Sequence, residues 1–242
     1  MSYFITGTDT HVGKTLISCA LLRALAIRGL RVVGMKPIAA GVSLYNCGEI
    51  PSALPTAKEI SNVNEKQEDV DQLRSQSNVL ASQDQINPYL FRQPIAPHIA
   101  ARNNNTRIEI GRILQFYREL ATQADVVIIE GIGGFCVPIN ENETSADLTQ
   151  KLALPVILVV GVRLGCLNHA LLTMSAIEAR GLKCAGWVAN IMDEKMPVKD
   201  ENIEALQQRI NAPLLGIVPW DPTSSANVDW VAEKLNILLL DT

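Results

Sequence analysis

The stretch FITGTDTHVGKTLIS, residues 4–18, decides how the rest of the chain is read. Residues 3–6 read as a short apolar strand. Leu16, Ala20, Leu21, Ala24, Leu25 and Ile27 then recur with a helical period, and Gly29 stops the pattern. Between them lies a glycine-bounded turn ending in Gly13-Lys14-Thr15. Strand, glycine loop and Gly-Lys-Thr at a helix start is the context of a phosphate loop. Each residue type has a task there. Glycines let backbone N–H groups curl around phosphate oxygens. The helix start adds the positive end of its dipole. Lys14 neutralises charge on the β- and γ-phosphates, and Thr15 offers a hydroxyl to Mg²⁺. An ordinary glycine turn before a helix is the plainer alternative. The usual pattern sets four residues between its glycines. Here Gly7 and Gly13 enclose five, and the fourth is His11. A wider loop suits reaching a second substrate as well as ATP.

Outward from this loop, strand-like and helix-like stretches alternate. Strands are expected at residues 31–37 (RVVGMKP), 125–131 (DVVIIEG), 154–161 (LPVILVVG), 183–190 (KCAGWVAN) and 213–220 (PLLGIVPW). Helices are expected at 68–76, 108–121, 168–180, 199–209 and from 229. Residues 41–66 are irregular and too long for a simple connection, so they read as a functional or mobile loop. Continuous apolar strands between helices mean a parallel sheet covered on both faces. The expected fold is a three-layer α/β domain of P-loop NTPase type with a mostly parallel sheet. No repeat or linker divides it, so residues 1–242 form one domain. In such sheets ligands bind beyond the carboxyl ends of the strands. That directs attention to Lys36, Glu130, residues 161–168, Asn190 and Pro219-Trp220.

Composition narrows the classes. Hydrophobic residues make up 48% of 242, enough for a sizeable core, and the net charge of −4 gives no case for nucleic acid. The five cysteines form no C-x-x-C pair and read as reduced thiols. No basic segment with an apolar run opens the chain, and no apolar run reaches the roughly 18 residues a membrane span needs. The expected setting is the cytoplasm, with no membrane partner.

Mg²⁺ is hard and octahedral, and it needs acidic oxygens beside Thr15. Glu130, capping the strand VVIIE, sits where the second carboxylate of such enzymes sits. A solvated strand-end carboxylate is its plainer reading. Asp69 in EDVDQL is the weaker candidate, and Asp71 competes with it. No N-K-x-D sequence exists, which disfavours a guanine-specific GTPase.

Several stretches together resemble the dethiobiotin synthetase family: TGTDTHVGKT (6–15), KPIAAG (36–41), NPYLF (87–91), APHIAAR (96–102), EGIGGFCVP (130–138), LPVILVVGVRLGCLNHALLT (154–173), GWVAN (186–190) and APLLGIVPW (212–220). They span nearly the whole chain in order. The five-residue loop spacing is itself a feature of the family. The resemblance implies a biotin-biosynthesis ligase that closes a ureido ring from 7,8-diaminononanoate and CO₂ (or bicarbonate), cleaving ATP to ADP and phosphate with Mg²⁺. It makes Lys36 the active-site lysine. It assigns ATP to His11, Val12, Gly13, Lys14, Thr15 and Leu16, to Asp69, and to Glu130, Gly131, Ile132 and Gly133. Asn190 resembles the residue that reads the adenine edge, with Pro219, Trp220 and Asp221 as the base-side wall. Thr10, Lys36 and Ala40 fall on the substrate side. Gly165, Cys166, Leu167 and Asn168, from a partner subunit, resemble the helix start that holds the substrate carboxylate, which implies a homodimer. Thr15, Asp69 and Glu130 are the implied metal ligands.

Two positions depart from the family pattern. His11 stands where an acidic residue is common, and Ala40 where a serine often contacts substrate. His11 either contributes only its backbone or brings a titrating imidazole near the phosphate. Other readings of the chain are a partner-regulated P-loop ATPase of the septum- or chromosome-positioning kind, and a ligase paralogue with an altered substrate. The first usually carries an extra lysine early in the loop, where this chain has Thr8 and Asp9.

Overall fold

The computed structural model describes residues 1–41, 68–221 and 227–240. The irregular stretch expected at 41–66 lies almost wholly outside these residues. β-Branched and apolar runs form a six-stranded sheet. Its strands are β1 (Ser2–Gly7), β2 (Val32–Met35), β5 (Val126–Glu130), β6 (Val156–Val162), β7 (Cys184–Ile191) and β8 (Leu214–Val218). Their order is β2-β5-β1-β6-β7-β8, and every pairing is parallel. The two halves of the chain wind outward from β1, so a crevice opens above its carboxyl end. β3 (Ile38–Ala40) and β4 (Tyr89–Phe91) form a separate two-stranded parallel patch.

Side-chain alternation divides the core. Tyr3 and Ile5 of β1, with Ile157 and Val159 of β6, face α1 (Lys14–Ile27), and α9 (Val228–Glu233) covers the same side. Phe4, Val127 and Ile129 face the opposite way, toward α4 (Pro97–Asn103), α5 (Ile110–Gln123) and α6 (Ser145–Leu152). Leu158, Val160 and Trp187 continue that second face under α7 (Cys166–Ala179) and α8 (Lys199–Gln207). Helices on both faces of a parallel sheet make the three-layer fold expected from the strand composition. α1 is buried almost all round, which explains why its apolar residues hold no narrow stripe.

The boundaries differ from the sequence reading in ways with physical causes. β2 stops at Met35 instead of running to Pro37, because the Lys36 N–H turns away to donate to the Ile86 carbonyl at 2.8 Å. α7 begins at Cys166, two residues before Asn168, because Gly165 at φ 94° turns the chain into it. α2 (Glu68–Gln76) is found where expected. The β3–β4 pair, α3 (Gln83–Ile86), α4 and α6 went unread. They are short, and capping rather than periodicity defines two of them: Ser82–Gln85 boxes α3 and Thr144–Asp147 boxes α6. Among the described residues no helix is long and apolar enough to cross a membrane.

Candidate active site

The loop after β1 closes around its own backbone. Gly13 sits at φ 87°, and a Cβ there would lie 2.3 Å from Asn190 Nδ2, so only glycine fits. Asn190 is buried and donates from Nδ2 to the Val12 carbonyl at 2.9 Å. That bond holds the loop against β7. Val12 and Leu16 turn their side chains toward the core, which leaves their backbones for any phosphate. His11 is exposed with φ 58°, a left-handed conformation in which histidine is among the more tolerated residues.

Above the carboxyl ends of β1, β2 and β5 a cavity of about 480 Å³ opens. Thr10, His11, Gly13, Lys14 and Thr15 line one side, and Lys36, Asp69, Glu130, Ile132 and Gly133 line another. Ala39 and Ala40 of β3 and Leu90 of β4 form its wall. Asp69 is therefore in the site. Asp71, two residues further along α2, is not among the lining residues, since two residues rotate a helix by more than half a turn.

Charge in this cavity is mutually compensated. Lys36 Nζ is ion-paired with Glu130 Oε1 and lies 3.2 Å from Asp69 Oδ2. Lys36 and Glu130 are 4% and 1% exposed. The Thr15 hydroxyl donates to Glu130 Oε1 at 2.8 Å. Burial alone would push Lys36 toward its neutral form, but the Glu130 and Asp69 carboxylates outweigh it and hold the ammonium above its ordinary pKa. Burial, with Asp69 adding, raises Glu130 even against Lys36. Burial also opposes ionisation of Asp69, yet Lys36 and then Thr15 hold it below the usual range. Lys14, desolvated and next to Lys36, is lowered to about 8, and its Nζ rests on the Asp9 carbonyl at 2.9 Å. Cys19, beneath the site, is pushed up to about 12 by burial and the nearby carboxylates.

The donor set suits Mg²⁺. Glu130 Oε2 is buried with no hydrogen-bond partner among the described residues, the Thr15 hydroxyl donates to its other oxygen, and the Asp69 carboxylate lies beside Lys36. Two carboxylates and one hydroxyl match an ion that keeps several waters.

A family model described as an AAA domain matches residues 1–228. An ATP-dependent dethiobiotin synthetase of Aromatoleum aromaticum is 49% identical over 218 residues, 90% of each chain. One from Nitrosospira multiformis is 48% identical over 224 residues, 93% of this chain and 90% of that one. The chain belongs to the dethiobiotin synthetase family. In fold it is similar to the septum site-determining protein MinD of Pyrococcus horikoshii, with a TM-score of 0.53 at 16% identity over 99% of this chain and 89% of that one. MinD of Aquifex aeolicus gives 0.53 at 15% identity over 98% and 89%. This distant likeness shows the P-loop NTPase fold alone.

The remaining synthetase-family positions fall outside this cavity. Gly131 is buried beneath the Phe4 ring. Pro219 and Trp220 are exposed beyond β8, Trp220 by 40%, and Asp221 follows them. Gly165, Cys166, Leu167 and Asn168 start α7, with the Cys166 side chain in the core. They do not line this cavity.

Sequence reasoning missed the residues that hold the named ones. Asn87, buried after α3, donates from Nδ2 to the Lys36 carbonyl at 2.6 Å and to the Tyr89 carbonyl at 3.2 Å. Asp9 and Arg163 form an ion pair across the loop. The one available signal was an Asn-Pro after a capping box, which marks a turn and not its target.

Proposed function

We propose that the protein joins 7,8-diaminononanoate and CO₂ with Mg²⁺–ATP to give dethiobiotin, ADP and phosphate. The observation that carries this reading is the buried Lys36, held between Glu130 and Asp69 in a cavity it shares with the phosphate loop. Synthesis of this kind needs one cation that faces both a carbamate and a transferring phosphoryl group. One amine takes up CO₂ as a carbamate, and a carbamate oxygen attacks the γ-phosphate. The second amine then attacks the carbamoyl carbon of the mixed anhydride and expels phosphate. Phosphorylation turns an oxide into a leaving group, so the protein's work is positioning and charge neutralisation. Thr15, Asp69 and Glu130 would hold Mg²⁺, which would supply charge neutralisation to the phosphates. The Lys36 ammonium faces the reacting oxygens. Lys14 swings from the Asp9 carbonyl to the phosphates. Asn190, Pro219, Trp220 and Asp221 serve the base.

The substrate carboxylate is assigned to the start of α7 in a second subunit. Leu164 (94% exposed) and Leu172 (61%) leave apolar surface beside that helix start, which favours a homodimer. Turnover tests the reading directly. ADP should be released only when diaminononanoate, bicarbonate and Mg²⁺ are all present. Equal ATP hydrolysis without the diamine would overturn it in favour of a partner-regulated ATPase.

A further inference from the structure

Asp9 places a carboxylate inside a loop built to receive a polyanion. All three of its oxygens are engaged. Its carbonyl accepts from Lys14 Nζ at 2.9 Å, Oδ1 accepts from the Thr10 N–H at 2.7 Å, and Oδ2 accepts from Arg163 Nη2 at 2.5 Å. The side chains of Arg163 and Asp9 are 44% and 45% exposed, so the pair adds little to stability. Its geometry gives it another task. Arg163 follows β6 and precedes Gly165, the turn into α7. The first limb of the loop is fastened to that junction at several points. The Thr8 N–H donates to the Val159 carbonyl at 3.0 Å, and the Gly161 N–H donates to Thr8 Oγ1 at 3.3 Å. Val12 fills the space over Gly161, where a Cβ would lie 2.7 Å from Val12 Cγ1.

We propose that Arg163 is a positioning residue that cancels the Asp9 charge beside the phosphate site, thereby setting nucleotide affinity. The inference rests on the ATP reading of residues 7–15. Without Arg163, the Asp9 carboxylate stands bare beside incoming phosphates. The charge argument makes the two partners unequal. Removing Arg163 leaves a repulsive anion, whereas removing the Asp9 charge does not.

Calorimetric binding of Mg²⁺–β,γ-methylene-ATP tests this. Arg163→Gln should weaken binding roughly five- to ten-fold at low salt, and less at high salt, because an exposed charge is screened. Arg163→Lys should restore most of it. Asp9→Asn keeps an acceptor for Thr10 and should bind within about two-fold of wild type. Asp9→Asn added to Arg163→Gln should recover most of the lost affinity, with melting temperatures unchanged throughout. Wild-type affinity in Arg163→Gln, or a double variant weaker than Arg163→Gln alone, would overturn the proposal. Failure of the wild type itself to bind nucleotide would overturn the ATP reading, and this inference with it.

Discussion

The two flanks of β1 handle charge in opposite ways. On the β2–β5 flank, Lys36 and Glu130 are shut away from water and pair with each other, and Lys36 also pairs with Asp69. On the flank of β6 and its helices, Asp9–Arg163 lies open to solvent and Asp147–Arg180 is partly exposed. A buried pair cannot lose one member without leaving a naked ion, so its geometry is fixed. A solvated pair can lose one member cheaply, so it can adjust how a neighbouring loop sits. Chemistry is expected on the rigid flank and tuning on the soft one.

The largest effect that could break this contrast comes from Lys36→Met. It should lower turnover by roughly 10²–10³-fold. It should also cost about 3–5 kcal/mol of stability, because Glu130 is left buried and unpaired. Steady-state ADP release and urea denaturation measure the two. Unchanged stability would mean that mutual charge does not hold this flank. Glu130→Gln comes next. The Mg²⁺ concentration for half-maximal turnover should rise by at least about ten-fold, as for loss of a metal-supporting carboxylate. A magnesium titration reads this, and an unmoved midpoint would exclude Glu130 as a ligand.

On the open flank the effects shrink. Trp220→Ala should weaken ATP binding roughly two- to ten-fold through lost ring contact with the base, while kcat stays level. Fluorescence titration checks it, and no change would remove Trp220 from the base-side wall. The smallest effect belongs to Asp147, which is held at about 2 by the Thr144 hydroxyl and by Arg180, against an ordinary 3.8. A depressed carboxylate stabilises the fold above its ordinary pKa and loses that contribution as the pH falls through the folded value. Asp147→Asn should therefore cost about 1 kcal/mol at neutral pH, with partial exposure discounting the shift. Wild type and variant should converge as the pH falls from about 4 to 2 in acid denaturation curves, and parallel curves would deny the linkage.

The parallel sheet was legible in the sequence because its strands are buried on both faces, and VVIIE and VILVVGV advertise that burial residue by residue. Lys14, Thr15, Lys36 and Glu130 were legible because strand ends and a glycine loop give them addresses. Asp69 needed the structure, since an acidic helix face looks the same whether or not one carboxylate reaches a lysine. Asn190 shows a different limit. The sequence placed it at a strand end, but the structure gives its amide a bond to Val12 that no motif encodes. Asn87, Asp9 and Arg163 act through pairings 51 and 154 residues apart, which local patterns cannot carry.

The β3–β4 patch joins Lys36 to the cavity wall by a continuous run of hydrogen bonds: Lys36 N–H to Ile86, Asn87 to the Lys36 carbonyl, Tyr89 N–H to Pro37, and Gly41 N–H to Phe91. Such a run opens as one cooperative unit. The amide protons of Lys36, Tyr89 and Gly41 should then exchange with solvent at a common rate, distinct from that of the six-stranded sheet. The wall and the lysine would then be built and lost together.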